Sequence, residues 1–326
     1  MPQTILTICL ISYNTKDLTL QTLDSIISSV KNSPLKNQQV EIMVVDNNSG
    51  DDSVQEIKKL QSHLDREKSN FKLKIIENSQ NSGFAYANNL AIGKSTGRYL
   101  LLLNSDTIVQ KDALQHLLQT YQELEKKGSA IKVLAAQLLS PDGSIQSQGG
   151  SLPNLLTLKT HMLMLAKLPI IGSLFPSIQQ TQTNNTDQPI AQRGWIGGTA
   201  MFFSKTTYDQ VGPLDENIFM YGEDTEYCLR ANKLGCKSAI SSKAKIIHLG
   251  SQSSTSNNAL IGELTSLLYI FKKHFPSWQL LPAYLLLMFG CGLRILIFGV
   301  IGLDRDRSQA YYQAWRQLKN VYNSQS

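Results

Sequence analysis

The stretch LLLNSDTIV, residues 101–109, decides the predicted fold, because a run of leucines stops abruptly at Asn104, Ser105 and Asp106. Consecutive leucines are typical of a strand that is buried on both faces, whereas these three polar residue types are seldom left in a core. They are also frequent in turns and helix caps, so a structural role is one interpretation. In the other interpretation, the Asp106 carboxylate holds a divalent cation that bridges phosphates.

Short apolar runs also occur before this strand, and helical stretches separate them. The predicted strands are TILTICLI (4–11), VEIMVV (40–45), KLKIIE (72–77) and YLLLL (99–103). Residues 16–30 and 51–64 space their apolar side chains as amphipathic helices do, and Ser53 and Glu56 have the spacing of a capping box. This alternation of strand and helix predicts parallel βαβ units in a doubly wound α/β sheet.

Polar segments follow all four predicted strands. They are Asn14, DNNSGDDS (46–53), NSQNSGFAYANN (78–89) and NSD (104–106). Ligands bind at the carboxyl ends of the strands in open α/β sheets, so four polar segments at one edge predict a binding site there. Gly83 allows the backbone to approach a ligand closely, but the loop has neither a Walker A nor a G-x-G-x-x-G pattern.

Several titratable residues have both a functional and a structural interpretation. Asp46 ends the second strand, where its carboxylate can accept hydrogen bonds from a base or a ribose, or cap the next helix. In FMYGEDTEYCLR (219–230), Glu223 and Asp224 begin a predicted helix whose dipole keeps Asp224 ionised. An ionised carboxylate in a cleft can act as a general base toward a hydroxyl, although the pair can also serve only as a cap. His248 ends the short strand KIIHLG and can ligate a metal, contact a phosphate or be purely structural.

The second half of the chain contains two apolar segments. Residues 151 to about 190 resemble an insertion that ends in a polar loop, and residues 278–303 form an apolar run longer than the roughly 20 residues that span a bilayer. Arg294 interrupts this run and basic residues flank it, so a helix lying in or dipping into the membrane is favoured over a true span or a buried soluble helix. From Leu260 onward there are seven Lys or Arg residues and three Asp or Glu residues, so most of the formal charge of +6 lies at this end.

Composition places the chain among packed globular proteins, with 326 residues of which 42% are hydrophobic. Its four cysteines, Cys9, Cys228, Cys236 and Cys291, form no C-x-x-C pair, and we expect them to be core thiols in a reducing compartment. The first residues lack the basic region and the cleavage site of a signal peptide, so we expect a cytoplasmic protein.

Seven segments, in this order along the chain, resemble the successive motifs of family 2 glycosyltransferases with the GT-A fold, especially the rhamnosyltransferase-like bacterial branch. They are ISYN (11–14), VVDNNSGDDS (44–53), NSGFAYANN (81–89), LLLNSDT (101–107), WIGGTAMF (195–202), GPLDENIFMYGEDTEYCLR (212–230) and IHLG (247–250). The resemblance covers roughly residues 4–275. It implies a Rossmann-like mixed sheet flanked by helices.

On the donor side, the resemblance implies roles for individual residues. Asp46 matches the acid that contacts the nucleobase, and Asp106 matches the last acid of the D-x-D-type motif that binds Mg²⁺ or Mn²⁺ and diphosphate. Asn104 takes the place of the first acid of that motif, which leaves open how strongly the metal is held. His248 matches a histidine near the metal and the diphosphate. The further residues expected to bind substrate are Tyr13, Asn81, Gly83 and Asn88.

On the acceptor side, Asp224 matches the catalytic base of the family, and Glu223 lies beside it toward the acceptor. Trp195 and Gly198 match the floor of the acceptor site. The tetrapeptide QRGW (192–195) is not the Q-x-x-R-W signature of processive synthases. The transfer of a single sugar is therefore the expected reaction.

The sequence as a whole predicts an inverting glycosyltransferase that moves one sugar from a nucleotide-sugar, with dTDP-rhamnose or a UDP-sugar favoured, to a hydroxyl of a glycan or lipid-linked oligosaccharide in cell-surface polysaccharide synthesis. Residues 1–256 are expected to form the catalytic domain, with the insert at about 151–190. Residues 257–326 are expected to form a helical segment at the inner face of the cell membrane. A nucleotidyltransferase and a nucleotide-sugar-binding protein without turnover are the alternatives, and no nucleic-acid partner is expected.

Overall fold

The computed structural model describes residues 4–67, 71–168, 170–179, 188–250 and 256–324. Its strands are β1 (Thr4–Ser12), β2 (Gln39–Asp46), β3 (Phe71–Glu77), β4 (Tyr99–Asn104), β5 (Thr107–Val109), β6 (Ile131–Leu139), β7 (Ile190–Arg193), β8 (Ala200–Ser204) and β9 (Lys237–His248). Its α-helices are α1 (Lys16–Lys31), α2 (Ser53–Arg66), α3 (Gly83–Gly93), α4 (Ala113–Lys126), α5 (Leu155–Met162), α6 (Lys205–Val211), α7 (Glu223–Lys233), α8 (Ser256–His274), α9 (Leu280–Leu296) and α10 (Arg305–Asn323).

The nine strands form one mixed sheet in the order β3-β2-β1-β4-β8-β6-β9-β5, and β7 pairs with β9. The first four strands in this order are parallel, and β8 runs antiparallel to both β4 and β6. The pairing register aligns Ser12 with Asp46 and Ile11 with Asn104. The polar ends of β1, β2 and β4 therefore meet at one edge of the sheet, as the sequence predicts.

Apolar side chains of β1 alternate between the two faces of the sheet. Leu6, Ile8 and Leu10 belong to one buried cluster, and Cys9 and Ile11 belong to the other. Helices cover both faces, which is why the strands consist of nearly continuous apolar residues. All four cysteines are free and buried, which confirms that they are core thiols.

The predicted capping box of α2 is wrong. Ser53 is the first helical residue, and the preceding Asp52 makes no side-chain cap. The Asp51 carboxylate instead accepts hydrogen bonds from the Ser53 backbone N–H over 3.1 Å and from its hydroxyl over 2.5 Å. Asp51 and Asp52 both precede the helix, and Asp51 is the one that accepts hydrogen bonds from its first residue. The spacing of the residues does not show which of the two acids does so.

A third apolar cluster joins the insert to the C-terminal helices. Leu158 and Met162 of α5 pack with Leu268 of α8 and Leu287 of α9, all fully buried. At Gly290 of α9, an added Cβ would lie 2.8 Å from the Met162 Cβ and 3.1 Å from its carbonyl oxygen, so this close approach of α5 and α9 requires glycine. The insert predicted at 151–190 thus packs on the C-terminal helices, while most of its polar loop, residues 180–187, lies outside the described residues.

Residues 277–301 are the one helical segment, within the described parts of the chain, that is long and apolar enough to cross a membrane. Arg294 does not point outward from it but is 5% exposed. Its guanidinium donates to the Met162 carbonyl over 2.6 Å and to the His161 carbonyl over 2.8 Å, which satisfies the C-terminal end of α5. The opposite side of α9 exposes Leu281, Leu285, Phe289 and Leu296, and we call these residues the outer face of α9.

Candidate active site

A cavity of about 710 Å³ opens at the carboxyl ends of β1, β2 and β4, and we call it the strand-end cavity. On the sheet side it is lined by Ile11, Tyr13, Asn47, Asn81, Gly83, Phe84, Asn104 and Ser105. On the other side it is lined by residues 217–221 and by side chains of α8 and α10, among them Thr265, Tyr269, Gln313 and Gln317. Four of the predicted substrate-binding residues, Tyr13, Asn81, Gly83 and Asn104, therefore share this cavity.

Asp46 lies beside the cavity rather than on its lining. The carboxylate is 2% exposed and accepts two hydrogen bonds from Ser49, one from the backbone N–H over 2.8 Å and one from the hydroxyl over 2.6 Å. Asn48, between them, has a φ of 67°, which makes the turn tight enough for this contact. Asp46 thus fixes the loop that presents Asn47 to the cavity.

The loop at residues 217–221 passes so close to Gly83 that no side chain fits at this position. It has a φ of +85°, and an added Cβ would lie 2.4 Å from the Phe219 carbonyl oxygen. That same oxygen accepts a hydrogen bond of 2.8 Å from the backbone N–H of Phe84. The Asn47 amide donates to the Gly83 carbonyl over 3.1 Å, so loops from both sides of the cavity are joined at this glycine.

Asn88 is fully buried and does not line the strand-end cavity. Its amide nitrogen donates to the Phe84 carbonyl over 2.9 Å, and its Oδ1 makes no hydrogen bond within the described residues. The neighbouring Asn89 donates to the Leu214 carbonyl and accepts from the Leu214 N–H, each over 2.9 Å. Both asparagines of α3 thus make contacts that hold the cavity wall in place.

Asp106 and His248 come together at the start of β5 and the end of β9, which pair with each other. The Asp106 carboxyl is buried, and its Oδ1 lies 3.4 Å from His248 Nε2 but makes no hydrogen bond among the described residues. A buried carboxylate oxygen with no donor is unfavourable by itself, and a divalent cation beside it would remove the penalty. No group of three or more His, Cys, Asp or Glu side chains with metal-binding geometry occurs among the residues the structure describes, so a cation here would also need phosphate or water ligands.

The acidic pair, Glu223 and Asp224, begins α7. Asp224 Oδ2 accepts the Gly198 N–H over 2.9 Å, and Oδ1 accepts the Thr225 N–H over 2.6 Å. Glu223 is buried, and its Oε2 makes no hydrogen bond in the described residues. Phe84 links this pair to the strand-end cavity, because it lines the cavity and its ring would contact a Cβ at Gly198 at 3.4 Å.

Burial and mutual repulsion separate the two carboxyl groups of this pair. Burial, followed by the negative charge of Asp224, raises the pKa of Glu223 to about 8. Burial also raises the pKa of Asp224, but the N–H donors of Gly198 and Thr225 oppose this effect. The negative charge of the pair is therefore more stable on Asp224, at the positive end of α7, than on Glu223.

Trp195 lies between the apolar cluster of the sheet and that of the C-terminal helices. Its indole nitrogen donates to the Ile178 carbonyl over 2.7 Å, so the ring joins the insert to the segment that precedes β8. Gly198 supplies the N–H that fixes Asp224. Of the two residues of the predicted acceptor floor, Gly198 thus contacts the acidic pair directly, and Trp195 lies three residues before it on the same segment.

Several residues around the site give no signal in the sequence. The Gln146 side-chain oxygen accepts a hydrogen bond of 2.9 Å from the His248 ring. Burial, followed by the charge of Asp224, raises the pKa of Glu263 in α8 to about 7. Gln313 and Gln317 of α10 line the strand-end cavity, although their sequence spacing is typical of an ordinary solvated helix face. Only the tertiary arrangement brings these residues to the strand ends.

Comparison with known proteins found a matching family model and curated relatives. Residues 7–162 match the family model described as Glycosyl transferase family 2. The chain is 23% identical, over 156 residues and 46% of each chain, to the N-acetylglucosaminyl-diphospho-decaprenol L-rhamnosyltransferase of Mycobacterium tuberculosis. It is 24% identical, over 59% of this chain and 53% of the other, to the low-salt glycan biosynthesis hexosyltransferase Agl10 of Haloferax volcanii. The chain therefore spans about half the length of these curated relatives.

Among solved structures, the mannosyltransferase PcManGT from Pyrobaculum calidifontis, in complex with GDP-Man and Mn²⁺, has a TM-score of 0.56. The match covers 100% of this chain and 92% of that chain at 14% identity. A likeness at this identity concerns the fold. The mixed sheet with its flanking helices is accordingly the GT-A fold, as the sequence predicts.

Proposed function

We propose that this chain, whose residues 7–162 match the family 2 glycosyltransferases and whose fold is GT-A, transfers one sugar from a nucleotide-sugar to an acceptor hydroxyl with inversion at the anomeric carbon. One observation carries the proposal. The strand-end cavity is lined on one side by Asn104 and Ser105, which lead to Asp106, and on another by Phe84, whose ring lies near Gly198, the residue that donates to Asp224. A diphosphate side and a base side thus flank one space of suitable size for a sugar nucleotide.

Asp224 acts as the general base in this reaction. Its Oδ1 accepts both the N–H and the hydroxyl of Thr225, whereas its Oδ2 accepts the Gly198 N–H and retains a lone pair for an incoming hydroxyl. The acceptor O–H bond breaks and its proton moves to Asp224, while the acceptor oxygen forms a bond to the anomeric carbon. The bond from that carbon to the diphosphate oxygen breaks on the opposite face, and its electron pair leaves with the nucleoside diphosphate.

Glu223 assists by remaining neutral. A second carboxylate beside Asp224 would repel both the base and the diphosphate, and the raised pKa of Glu223 avoids this at neutral pH. In the proposal it contacts the acceptor. Trp195 and Gly198 form the floor on the same side.

Asp106 and His248 would hold a divalent cation, Mg²⁺ or Mn²⁺, on the diphosphate side. The fit rests on the unpartnered Oδ1 of Asp106 and on the ring nitrogen 3.4 Å away from it. When bound, such a cation neutralises charge that develops on a departing diphosphate. Asn104, which lines the cavity in place of an acid, offers a neutral oxygen and thus makes this half of the site less negative than two carboxylates would.

The donor is proposed to be dTDP-rhamnose or a UDP-sugar. Support comes from the Mycobacterium tuberculosis relative, which is named for rhamnosyl transfer. Asp46, which the resemblance assigns to the nucleobase, is proposed to act there by holding the loop that presents Asn47 to the cavity, and Tyr13, Asn81, Gly83 and Asn88 are proposed to contact or shape the donor site. The half-exposed ring of Tyr13 at the cavity mouth offers a surface for stacking a base.

The acceptor is proposed to be a lipid-linked oligosaccharide or related glycan at the inner face of the cell membrane. Residues 143–186 and 264–303 contain no Asp or Glu, but they include Lys159 and Lys167 beside exposed apolar side chains. Basic and apolar residues without acids suit a surface of anionic phospholipids. The Mycobacterium tuberculosis relative is named for a decaprenyl-diphosphate-linked acceptor.

The packing of α9 favours a helix that lies on the membrane rather than one that crosses it. Arg294 fixes one side of α9 to α5 through backbone carbonyls, and Leu287 of that side is fully buried. The outer face of α9 remains exposed and can enter the acyl boundary while the inner side keeps its contacts. In this arrangement residues 1–256 form the catalytic domain, and residues 257–326 form the membrane-associated segment that also closes the strand-end cavity.

The transfer reaction is tested by measuring nucleoside diphosphate release from dTDP-, UDP- and GDP-sugars, with Mg²⁺ or Mn²⁺ and a membrane lipid extract as the acceptor source. We expect one donor class to be consumed only when the extract is present. Asp224→Asn should lower the rate by about 10²-fold or more because the base is lost. Asp209→Asn, on the exposed surface of α6, is the matched control and should retain the wild-type rate.

Three results would contradict the proposal. They are release of pyrophosphate instead of nucleoside diphosphate, full activity of Asp224→Asn, and nucleotide binding without consumption of any donor. The last would identify a binding protein. The anomeric configuration of the product, determined by NMR, tests inversion separately.

Membrane placement is tested by flotation with vesicles of phosphatidylcholine and phosphatidylglycerol. Leu285→Glu combined with Phe289→Glu places two charges on the outer face of α9 and should abolish binding to the vesicles. Leu234→Glu changes a similarly exposed leucine far along the chain, at the end of α7, and should bind as the wild type does. Equal binding of all three proteins would place the membrane contact elsewhere.

A further inference from the structure

Gln146 contacts His248 at two points. Its amide nitrogen donates to the His248 backbone carbonyl over 2.8 Å, and its amide oxygen lies 2.9 Å from the ring nitrogen Nδ1. A backbone carbonyl can only accept, so the NH₂ group must face it and the amide oxygen must face the ring. The orientation of the Gln146 amide is therefore determined by its own hydrogen bonds.

This contact also determines which ring nitrogen of His248 carries the proton. An amide oxygen only accepts, so Nδ1 must donate to it, and the neutral ring then has its lone pair on Nε2. That nitrogen lies 3.4 Å from Asp106 Oδ1, the buried oxygen that makes no hydrogen bond within the described residues. Two acceptors thus face each other, an arrangement that favours a positively charged species at this point.

The segment that carries Gln146 is firmly attached to β6. The backbone N–H of Gln146 donates to the Leu138 carbonyl over 3.0 Å. Two residues further on, the Gln148 side chain accepts the Leu138 N–H over 2.6 Å and donates to the Ala136 carbonyl over 2.8 Å. Gln148 thus holds the segment in place and makes none of these bonds to His248, whereas Gln146 extends from the same segment to the ring.

We propose that Gln146 is a positioning residue for the cation site. It keeps His248 in the tautomer whose Nε2 lone pair faces Asp106, so that one nitrogen and one oxygen are presented together to a divalent cation. The inference rests on the cation part of the proposed function and concerns a residue outside the seven segments that resemble the family's motifs. Hydrogen-bond partners that orient a metal-binding histidine typically alter metal affinity by about 10- to 100-fold.

The test compares Gln146→Met with Gln148→Met, two matched substitutions on one segment. Binding of Mn²⁺ is measured by calorimetry and by electron paramagnetic resonance, with and without UDP, and the ring tautomer is read from ¹⁵N shifts of the histidine-labelled, metal-free protein. We expect Gln146→Met to weaken Mn²⁺ binding by about 10-fold or more and to lose the single Nδ1–H tautomer of His248. Gln148→Met should lower the midpoint of thermal unfolding but retain both the Mn²⁺ affinity and the tautomer.

The proposal is overturned if Gln146→Met binds Mn²⁺ as the wild type does, or if both variants lose affinity equally, since Gln146 would then only hold the segment. It is also overturned if the wild-type protein binds no Mn²⁺. In that event, sugar transfer measured in EDTA would show that the proposed function holds without a cation. If the wild type binds Mn²⁺ but transfers no sugar, the proposed function fails and the role of Gln146 stands. The Mn²⁺ affinity and the ring tautomer, which decide the role of Gln146, are both measured without turnover.

Discussion

Replacing Glu223 with glutamine should change how the stability of the protein depends on pH. Burial, and then the charge of Asp224, raise the pKa of Glu223 from 4.5 to about 8. Between these two values the folded protein keeps a proton on Glu223 that the unfolded chain has lost. The stabilisation is therefore fully present below about pH 4.5 and is lost as the pH rises toward 8.

The expected magnitude follows from this shift. One proton difference between the two states corresponds to about 1.4 kcal/mol per pH unit, so Glu223 should reduce the free energy of unfolding by about 3 kcal/mol between pH 5.5 and pH 7.5. Glutamine does not titrate, so the free energy of unfolding of Glu223→Gln should rise relative to that of the wild type by about this amount between pH 5.5 and pH 7.5. The free energy of unfolding is measured by urea titration at pH 5.5, 6.5 and 7.5.

Glu123→Gln is a control for the loss of one carboxylate, because Glu123 is exposed on α4. Its stability curve should run parallel to that of the wild type. If the difference between Glu223→Gln and the wild type stays constant across the same pH interval, Glu223 is not protonated in the folded protein. In that event the negative charge cannot be assigned to Asp224 alone, and the division of roles within the acidic pair is refuted.

Two further substitutions test contacts that hold the site. Gly83→Ala places a side chain at a φ of +85°, with its Cβ 2.4 Å from the Phe219 carbonyl oxygen. We therefore expect the free energy of unfolding in urea to fall by about 1–3 kcal/mol or more, and nucleoside diphosphate to bind more weakly. Arg294→Met leaves the carbonyls of His161 and Met162 without this donor and should lower the free energy of unfolding by about 2–4 kcal/mol, whereas a change below about 0.5 kcal/mol would show that Arg294 does not cap α5.

The sequence identifies the sheet edge well because β1, β2 and β4 are buried on both faces. Their apolar runs are interrupted only where the strands leave the core, so Asp46 and Asn104 mark the strand ends directly. The strand β9 is longer than its apolar part, KIIH, because it extends from Lys237 to His248. Its pairing with β6 shifts register between Ser241 and Lys245, and this irregularity accommodates polar residues that the hydrophobic pattern alone does not assign to a strand.

The other side of the site could not be predicted from local pattern. Gln313 and Gln317 lie one helical turn apart on α10, a spacing typical of any solvated helix face, and only the packing of α10 with α8 and α9 brings them to the strand-end cavity. Gln146 is likewise an isolated polar residue after a turn. Its importance depends on the ring of His248, which lies 102 residues further along the chain.

The charge on Asp224 can be tested through a third acid. Burial first, and the charge of Asp224 second, raise the pKa of Glu263 to about 7, although Glu263 belongs to α8 and accepts a hydrogen bond of 2.6 Å from Gln179. Asp224→Asn removes that charge without removing volume, so the pKa values of both Glu223 and Glu263 should fall in the variant. Carbon-13 NMR titration of the glutamate carboxyl groups measures both values. If neither moves, Asp224 carries no charge in the folded protein, and a base for the acceptor hydroxyl has to be sought elsewhere around the cavity.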